Sequence, residues 1–130
     1  MKKLLIFLFF ISLSSFSQTA EEYFNRGIAK SDLEDYDGAI SDYNKVIELN
    51  PDYTFVYYDR GQAKANLDDN IGAIADFTKV IELNPNDADA YYNRALANGV
   101  LIDFREACKD ARKAQQLGYA SSEVIKLTCK

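Results

Sequence analysis

The 130 residues include no histidine, no tryptophan and a single methionine. Without imidazole the chain cannot build a His-based triad, a His-ligated metal site or a side-chain acid/base pair tuned near neutrality. Cysteine is equally scarce, with only Cys108 and Cys129. Two thiols are too few for a metal site with no other soft ligands to help, and a nucleophilic Cys would lack its base. Cations are outnumbered, 15 against 20 acids for a net charge of −5, so the chain repels phosphate backbones and nucleic acid is not an expected partner. The length admits one compact domain, and 27% charged with 48% hydrophobic residues is a soluble globular composition.

The first residues stand apart from that composition. Lys2 and Lys3 precede an unbroken apolar run from Leu4 to Ile11, followed by a stretch to Gln18 that is small and polar apart from Leu13 and Phe16. This is the layout of a bacterial-type secretory signal peptide over residues 1–17, with Ser15 and Ser17 at −3 and −1 of a cut before Gln18. The run is too short to span a bilayer, which needs about 20 residues. The expected product is an exported protein, periplasmic or extracellular, with no stable membrane span after cleavage. It would carry 13 basic and 20 acidic residues, net −7.

What the rest of the chain has is an internal repeat. GAISDYNKVIELNP from Gly38 and GAIADFTKVIELNP from Gly72 agree at 11 of 14 positions at an offset of 34, and a third, degraded copy follows. Among the positions identical in all three copies are Tyr23/Tyr57/Tyr91, Arg26/Arg60/Arg94, Ala39/Ala73/Ala107 and Asp42/Asp76/Asp110. Each copy carries two helical stripes, for example Ala39, Tyr43, Val46 and Ile47 on the second. Short acidic turns separate the two helices. The two prolines of the chain, in Asn50-Pro51 and Asn84-Pro85, end the second helices, with Asn expected in a left-handed C′ conformation. Gly27 and Gly61 fall inside a helix, where Gly costs about 1 kcal/mol relative to Ala, and their equivalence suggests close helix approach.

A 34-residue helical hairpin with Tyr23, Gly27, Ala39, Tyr43 and Pro51 at these spacings, then Tyr57, Gly61, Ala73, Phe77 and Pro85, resembles the tetratricopeptide repeat. Copy three keeps Tyr91, Ala95 and Ala107 but has Ala111 and Tyr119 where the others have an aromatic and Pro. The expected architecture is an all-α helical-hairpin solenoid: repeats over residues 20–53, 54–87 and 88–121, the last degenerate, and a capping helix over 122–130. The Arg and Asp ladders are expected to form ion pairs within or between repeats, with Lys45, Lys79 and Lys113 solvating the Asp face.

Cys108 lies ten residues before Gly118 and Cys129 eleven after it. An antiparallel helix pair turning at Gly118 brings the sulfurs to one height, so a disulfide is expected in an oxidising compartment, worth about 3 kcal/mol on the chain-entropy account. The alternative is two buried thiols.

The resemblance also implies that the first helices line a concave face, with four positions of each turned into it. The candidate peptide-binding residues are Phe24, Asn25, Ile28, Phe55, Tyr58, Asp59, Gln62, Tyr92, Asn93 and Leu96, edged by Glu21 and Asp89. Aromatic rings offer stacking area and the amides can bond a peptide backbone. None of these twelve is basic, so the Lys/Arg grip on a C-terminal carboxylate known in the family is not carried over. The function expected is a non-catalytic protein–protein interaction module, without metal or cofactor, for a neutral or basic segment of a partner. The rival is a structural repeat module of the cell envelope that self-associates into homo-oligomers. Paired acids such as Asp68 and Asp69, the remaining enzyme-like feature, sit in a turn where acids serve as helix caps.

Overall fold

The structure is a computed structural model and describes residues 18–119 and 122–130, so the expected leader lies outside the described residues. Among those described there are seven helices and no strand: α1 (Ala20–Asp32), α2 (Tyr36–Leu49), α3 (Thr54–Asn66), α4 (Asn70–Leu83), α5 (Ala88–Val100), α6 (Phe104–Gln116) and α7 (Glu123–Thr128). None of them is long and apolar enough to cross a membrane. Helices pair as α1 with α2, α3 with α4 and α5 with α6. Each hairpin then stacks on the next through α2 with α3 and α4 with α5, and α7 closes the end on α6.

Local signals explain the boundaries. Asp35, Asp69 and Asp103 cap α2, α4 and α6, accepting hydrogen bonds from the amides of Gly38, Gly72 and Glu106. Thr19 and Asp87 do the same for α1 and α5. The second helices do end before the Asn-Pro pairs, but Asn50 and Asn84 are extended, with φ of −147° and −140°. A following proline clashes with helical backbone and pushes the preceding residue toward β, which corrects the left-handed expectation. Among the described residues other than glycine, the left-handed ones are Glu34, Asp68 and Ile102, in the turn inside each hairpin.

Gly27 and Gly61 mark the tightest contacts. A Cβ on Gly27 would lie 2.5 Å from Tyr43 Cε1, and one on Gly61 would lie 2.9 Å from Phe77 Cε1. The ring of each second helix thus lies on bare backbone of the first, and both rings are 1% exposed. In the third hairpin Ala95 and Ala111 take those places, and the Tyr92 ring packs against their cluster. Val124 of α7 packs there with them. Every residue of both core clusters lies between Ala20 and Ile125, so a chain beginning at Gln18 holds the whole described core.

The Arg and Asp ladders are ion pairs inside each hairpin. Arg60 donates Nε and Nη2 to Asp76 at 2.9 and 2.6 Å, and Arg94 does the same to Asp110 at 2.7 and 2.8 Å. Arg26 grips Asp42 in the same way at 2.8 and 2.5 Å. The third guanidinium nitrogen reaches back one hairpin, from Arg60 to Asn44 and from Arg94 to Thr78. Each guanidinium also sits over the Tyr three residues before it, Tyr23, Tyr57 or Tyr91. The lysines assigned to the Asp face are not the ones that reach it. Lys30 and Lys64, from the first helices, pair with Asp42 and Asp76, whereas Lys45 turns to Glu48 and Lys79 to the Tyr57 ring.

Hydrogen bonding from Arg26 holds the Asp42 carboxyl below the usual carboxylate range. A depressed pKa in the folded state means that this stabilisation is full above about pH 4 and is lost as acid protonates the group. Replacing Arg94 with Ala strands a buried carboxylate and should cost about 3 kcal/mol in urea unfolding, whereas Arg60→Ala leaves Asp76 its Lys64 partner and should cost about 2 kcal/mol. Arg26→Ala should cost less, because that side chain is 45% exposed against 18% for the other two.

Candidate functional site

Helix α1 touches α3 and α3 touches α5, whereas no such contact links α2 to α4 or α4 to α6. The first helices therefore form the inner row of a curved stack, and the concave face is theirs. Tyr58 is its centre. The Tyr58 hydroxyl oxygen accepts from Asn93 Nδ2 at 2.9 Å and from Gln62 Nε2 at 3.2 Å, joining α3 to α5. Asn93 also donates to the Asp89 carbonyl at 2.8 Å. With both oxygen lone pairs engaged, the phenolic proton is left to donate to an incoming acceptor. Burial, then the nearby Asp89 charge, pushes the Tyr58 pKa up to about 12, so it stays protonated.

Aromatic rings surround this centre. Tyr58 meets Phe77 edge-on at 5.8 Å, Phe24 lies 5.0 Å from Tyr53, and Tyr53 lies 6.3 Å from Phe55. Phe55 is 72% exposed at the edge of these rings. Tyr92 stacks on Tyr119 at 4.1 Å. Two cavities open on this face. One of about 420 Å³ is lined by Thr54, Phe55, Tyr58, Asp87 and Asp89. The other, about 380 Å³, is lined by Gln62, Asn66, Phe77, Asn93, Leu96 and Val100. Asn25 stands exposed on α1 with half-buried Ile28 beside it, apart from both cavities. A larger concavity of about 690 Å³, bordered by Arg105, Lys109 and Arg112, lies on the last hairpin away from the groove.

Asp59 adds a half-buried carboxylate to this face. Burial pushes its carboxyl up to about 6, and no hydrogen bond or ion pair joins it among the described residues. Among the expected residues, Phe55, Tyr58, Gln62, Asn93 and Leu96 line the cavities. Phe24 and Tyr92 act through ring contacts. Sequence reasoning missed Tyr53, Asp87 and Tyr119, which precede or follow helices and join the face only through the course of the turns. Cys108 and Cys129 lie at the end of the stack, their sulfurs at disulfide distance and their Cα atoms 4.9 Å apart.

Fold and face together define a short α-helical solenoid with an aromatic and amide-lined concave groove. The tetratricopeptide repeat model matches residues 20–53, and a second model of the repeat matches 69–99. The chain belongs to the tetratricopeptide repeat family. Among solved structures it is similar to the first such domain of Spaghetti (RPAP3) bound to the HSP90 peptide SRMEEVD, with 26% identity over 85% of this chain and 87% of that one at a TM-score of 0.78. It is also similar to the domain of Arabidopsis OM64, at 25% identity, 85% and 90% coverage and a TM-score of 0.77. The TPR2B domain of yeast Sti1 in its pHsp70 complex gives 28% identity, 85% and 93% coverage and 0.76. No curated protein matches the chain in sequence.

Since the folded pKa of Asp59 is raised, ionising it opposes folding: stability falls as pH rises from about 4 through about 6. Asp59→Asn should therefore stabilise the protein by about 1 kcal/mol above that range, after allowance for solvent screening, and give no gain below about pH 4. Urea unfolding of both forms at the two pH values checks this.

Proposed function

We propose that the chain is a non-catalytic interaction module that holds a peptide segment of a partner protein along the concave face of α1, α3 and α5. The observation that carries the reading is the Tyr58 centre. Its oxygen is held by Gln62 and Asn93, its proton is left to donate, and the exposed Phe55 ring stands beside it. Such a site can donate to a peptide carbonyl while offering apolar area to a side chain. The structural neighbours add support, since the RPAP3 domain is bound to a peptide. That peptide, SRMEEVD, is rich in acids. None of the inward positions here is a cation, and Glu21, Asp59 and Asp89 supply negative charge. A neutral or basic segment therefore suits this groove better.

Capture from the native envelope fraction, wild type beside a Tyr58→Ala/Tyr92→Ala variant shown to be folded by circular dichroism, tests the reading. The variant should lose about tenfold or more of a bound partner, since buried aromatic anchors carry most of such binding. Equal recovery of every partner by both forms would remove the groove from consideration.

We further propose that residues 1–17 are removed on export and that Cys108 and Cys129 are joined covalently in the oxidising compartment. The sulfurs are 21 residues apart in sequence, and the bond would staple α7 to the last hairpin. Exported protein should begin at Gln18 by mass and show no free thiol when denatured without reductant. Reduction should lower its stability by about 3 kcal/mol. Two titratable thiols would overturn the pairing.

A further inference from the structure

The turn inside the third hairpin differs from the other two. Where the first has Asp32, Glu34 and Tyr36 and the second Asn66, Asp68 and Asn70, the third has Val100, Ile102 and Phe104. Leu101 lies between them, and all four apolar side chains are exposed, Ile102 by 73%. Leu127 of α7 is exposed as well, on a helix that packs beside α5. Exposed apolar side chains scattered singly need no explanation, but a contiguous group on one turn does.

Ile102 sharpens the point. It sits at φ 64°, the left-handed conformation that a β-branched residue tolerates poorly and that the equivalent Glu34 and Asp68 occupy at 61° and 62°. Asn or Gly would suit that backbone better, and the Ile side chain packs into no core. Its presence costs stability and solubility together, so its use lies outside the folded chain.

Charge changes at the same end. Residues 18–87 carry 6 basic and 15 acidic side chains, whereas residues 88–130 carry 7 basic and 5 acidic ones. Arg105, Arg112 and Lys130 line the same shallow depression as Phe104. Glu106 is the acid among them, held loosely by Arg105 at 3.9 Å and Lys109 at 3.7 Å, while Arg112 and Lys130 have no ion-pair partner among the described residues. The first two repeats place Asp37 and Ile71 at the position of Arg105, and Asn44 and Thr78 at that of Arg112.

We infer that this turn is a docking tip for an anionic lipid bilayer surface. An exposed aliphatic and aromatic turn beside the unpaired Arg112 and Lys130 matches an interface whose apolar layer lies under a sheet of phosphate groups. No described helix can span a membrane, so the contact is peripheral. Val100 also borders the cavity of Gln62 and Asn93, whereas the cavity of Phe55 and Tyr58 includes none of these turn residues.

Flotation with vesicles tests this, using the chain from Gln18 because the apolar run at Leu4 to Ile11 would itself seek lipid. Vesicles of phosphatidylglycerol mixed with phosphatidylcholine should carry the protein upward, those of phosphatidylcholine alone should not, and added salt should weaken the binding. Ile102→Asn should keep or raise the melting temperature yet lower binding about tenfold. Arg105→Ser/Arg112→Ser should lower it by more than about tenfold. The proposal fails if wild type ignores both vesicles, if it binds both equally, or if Ile102→Asn binds as well as wild type. It fails also if the tip instead drives lipid-free self-association that Ile102→Asn removes, since a second copy would then be its occupant.

Discussion

One carboxylate in the middle of each second helix organises the stack. Asp42, Asp76 and Asp110 are 3%, 3% and 2% exposed, and a buried charge survives there only if opposite charge and hydrogen bonds replace the lost water. A guanidinium three residues after a conserved-in-register tyrosine supplies both. Its forked face holds the carboxylate, its flat face lies on the tyrosine ring, and in the second and third hairpins its remaining nitrogen reaches the previous hairpin. A single residue therefore fixes the crossing of two helices and the seating of one hairpin on the next. An apolar pair could supply as much burial, but not that choice of register.

The second constraint is a volume exchange between helices. Glycine on the first helix allows a ring on the second to lie against backbone, and the pair must be changed together. The third hairpin does change it, with Ala95 and Ala111 in place of glycine and ring. Val124 of α7 is buried with that pair, at the repeat position of Val56 and Ala90, and Tyr92 and Ile125 pack against them. The Cys108 and Cys129 sulfurs meet on the same pair of elements, where a short helix of six residues has little packing of its own to hold it.

The hairpins, their ladder of ion pairs and the glycine approach could be read from the sequence because an offset of 34 repeats whatever packing requires. Residues that escaped the reading are those whose role depends on neighbours from another element. Lys30 and Lys64 look like solvent-facing lysines of α1 and α3, yet the buried carboxylates draw them in. Tyr53 and Tyr119 enter the concave face only because of how the turns leave the helices. Asp59 occupies the position of Asn25 and Asn93 and reads as a polar groove residue. Its raised pKa reflects burial by surrounding elements, which no local pattern encodes. The left-handed turn residues were misplaced for the opposite reason: Asn before Pro suggested a left-handed cap, and the proline itself forbade it.

Once packing has claimed the repeated positions, the variable ones carry whatever distinguishes this chain. On the inner row they collect rings, amides and acid around Tyr58. On the last turn they collect aliphatic side chains and unpaired cations around Ile102. The two sets adjoin at Val100, which borders a cavity of the concave face, but they have opposite charge. A ligand suited to the groove, neutral or basic, is therefore not drawn to the tip, and an anionic surface at the tip is repelled by the groove. Repetition allows this separation, because each hairpin holds its neighbours by the same few contacts and leaves the remaining surface of every copy independent.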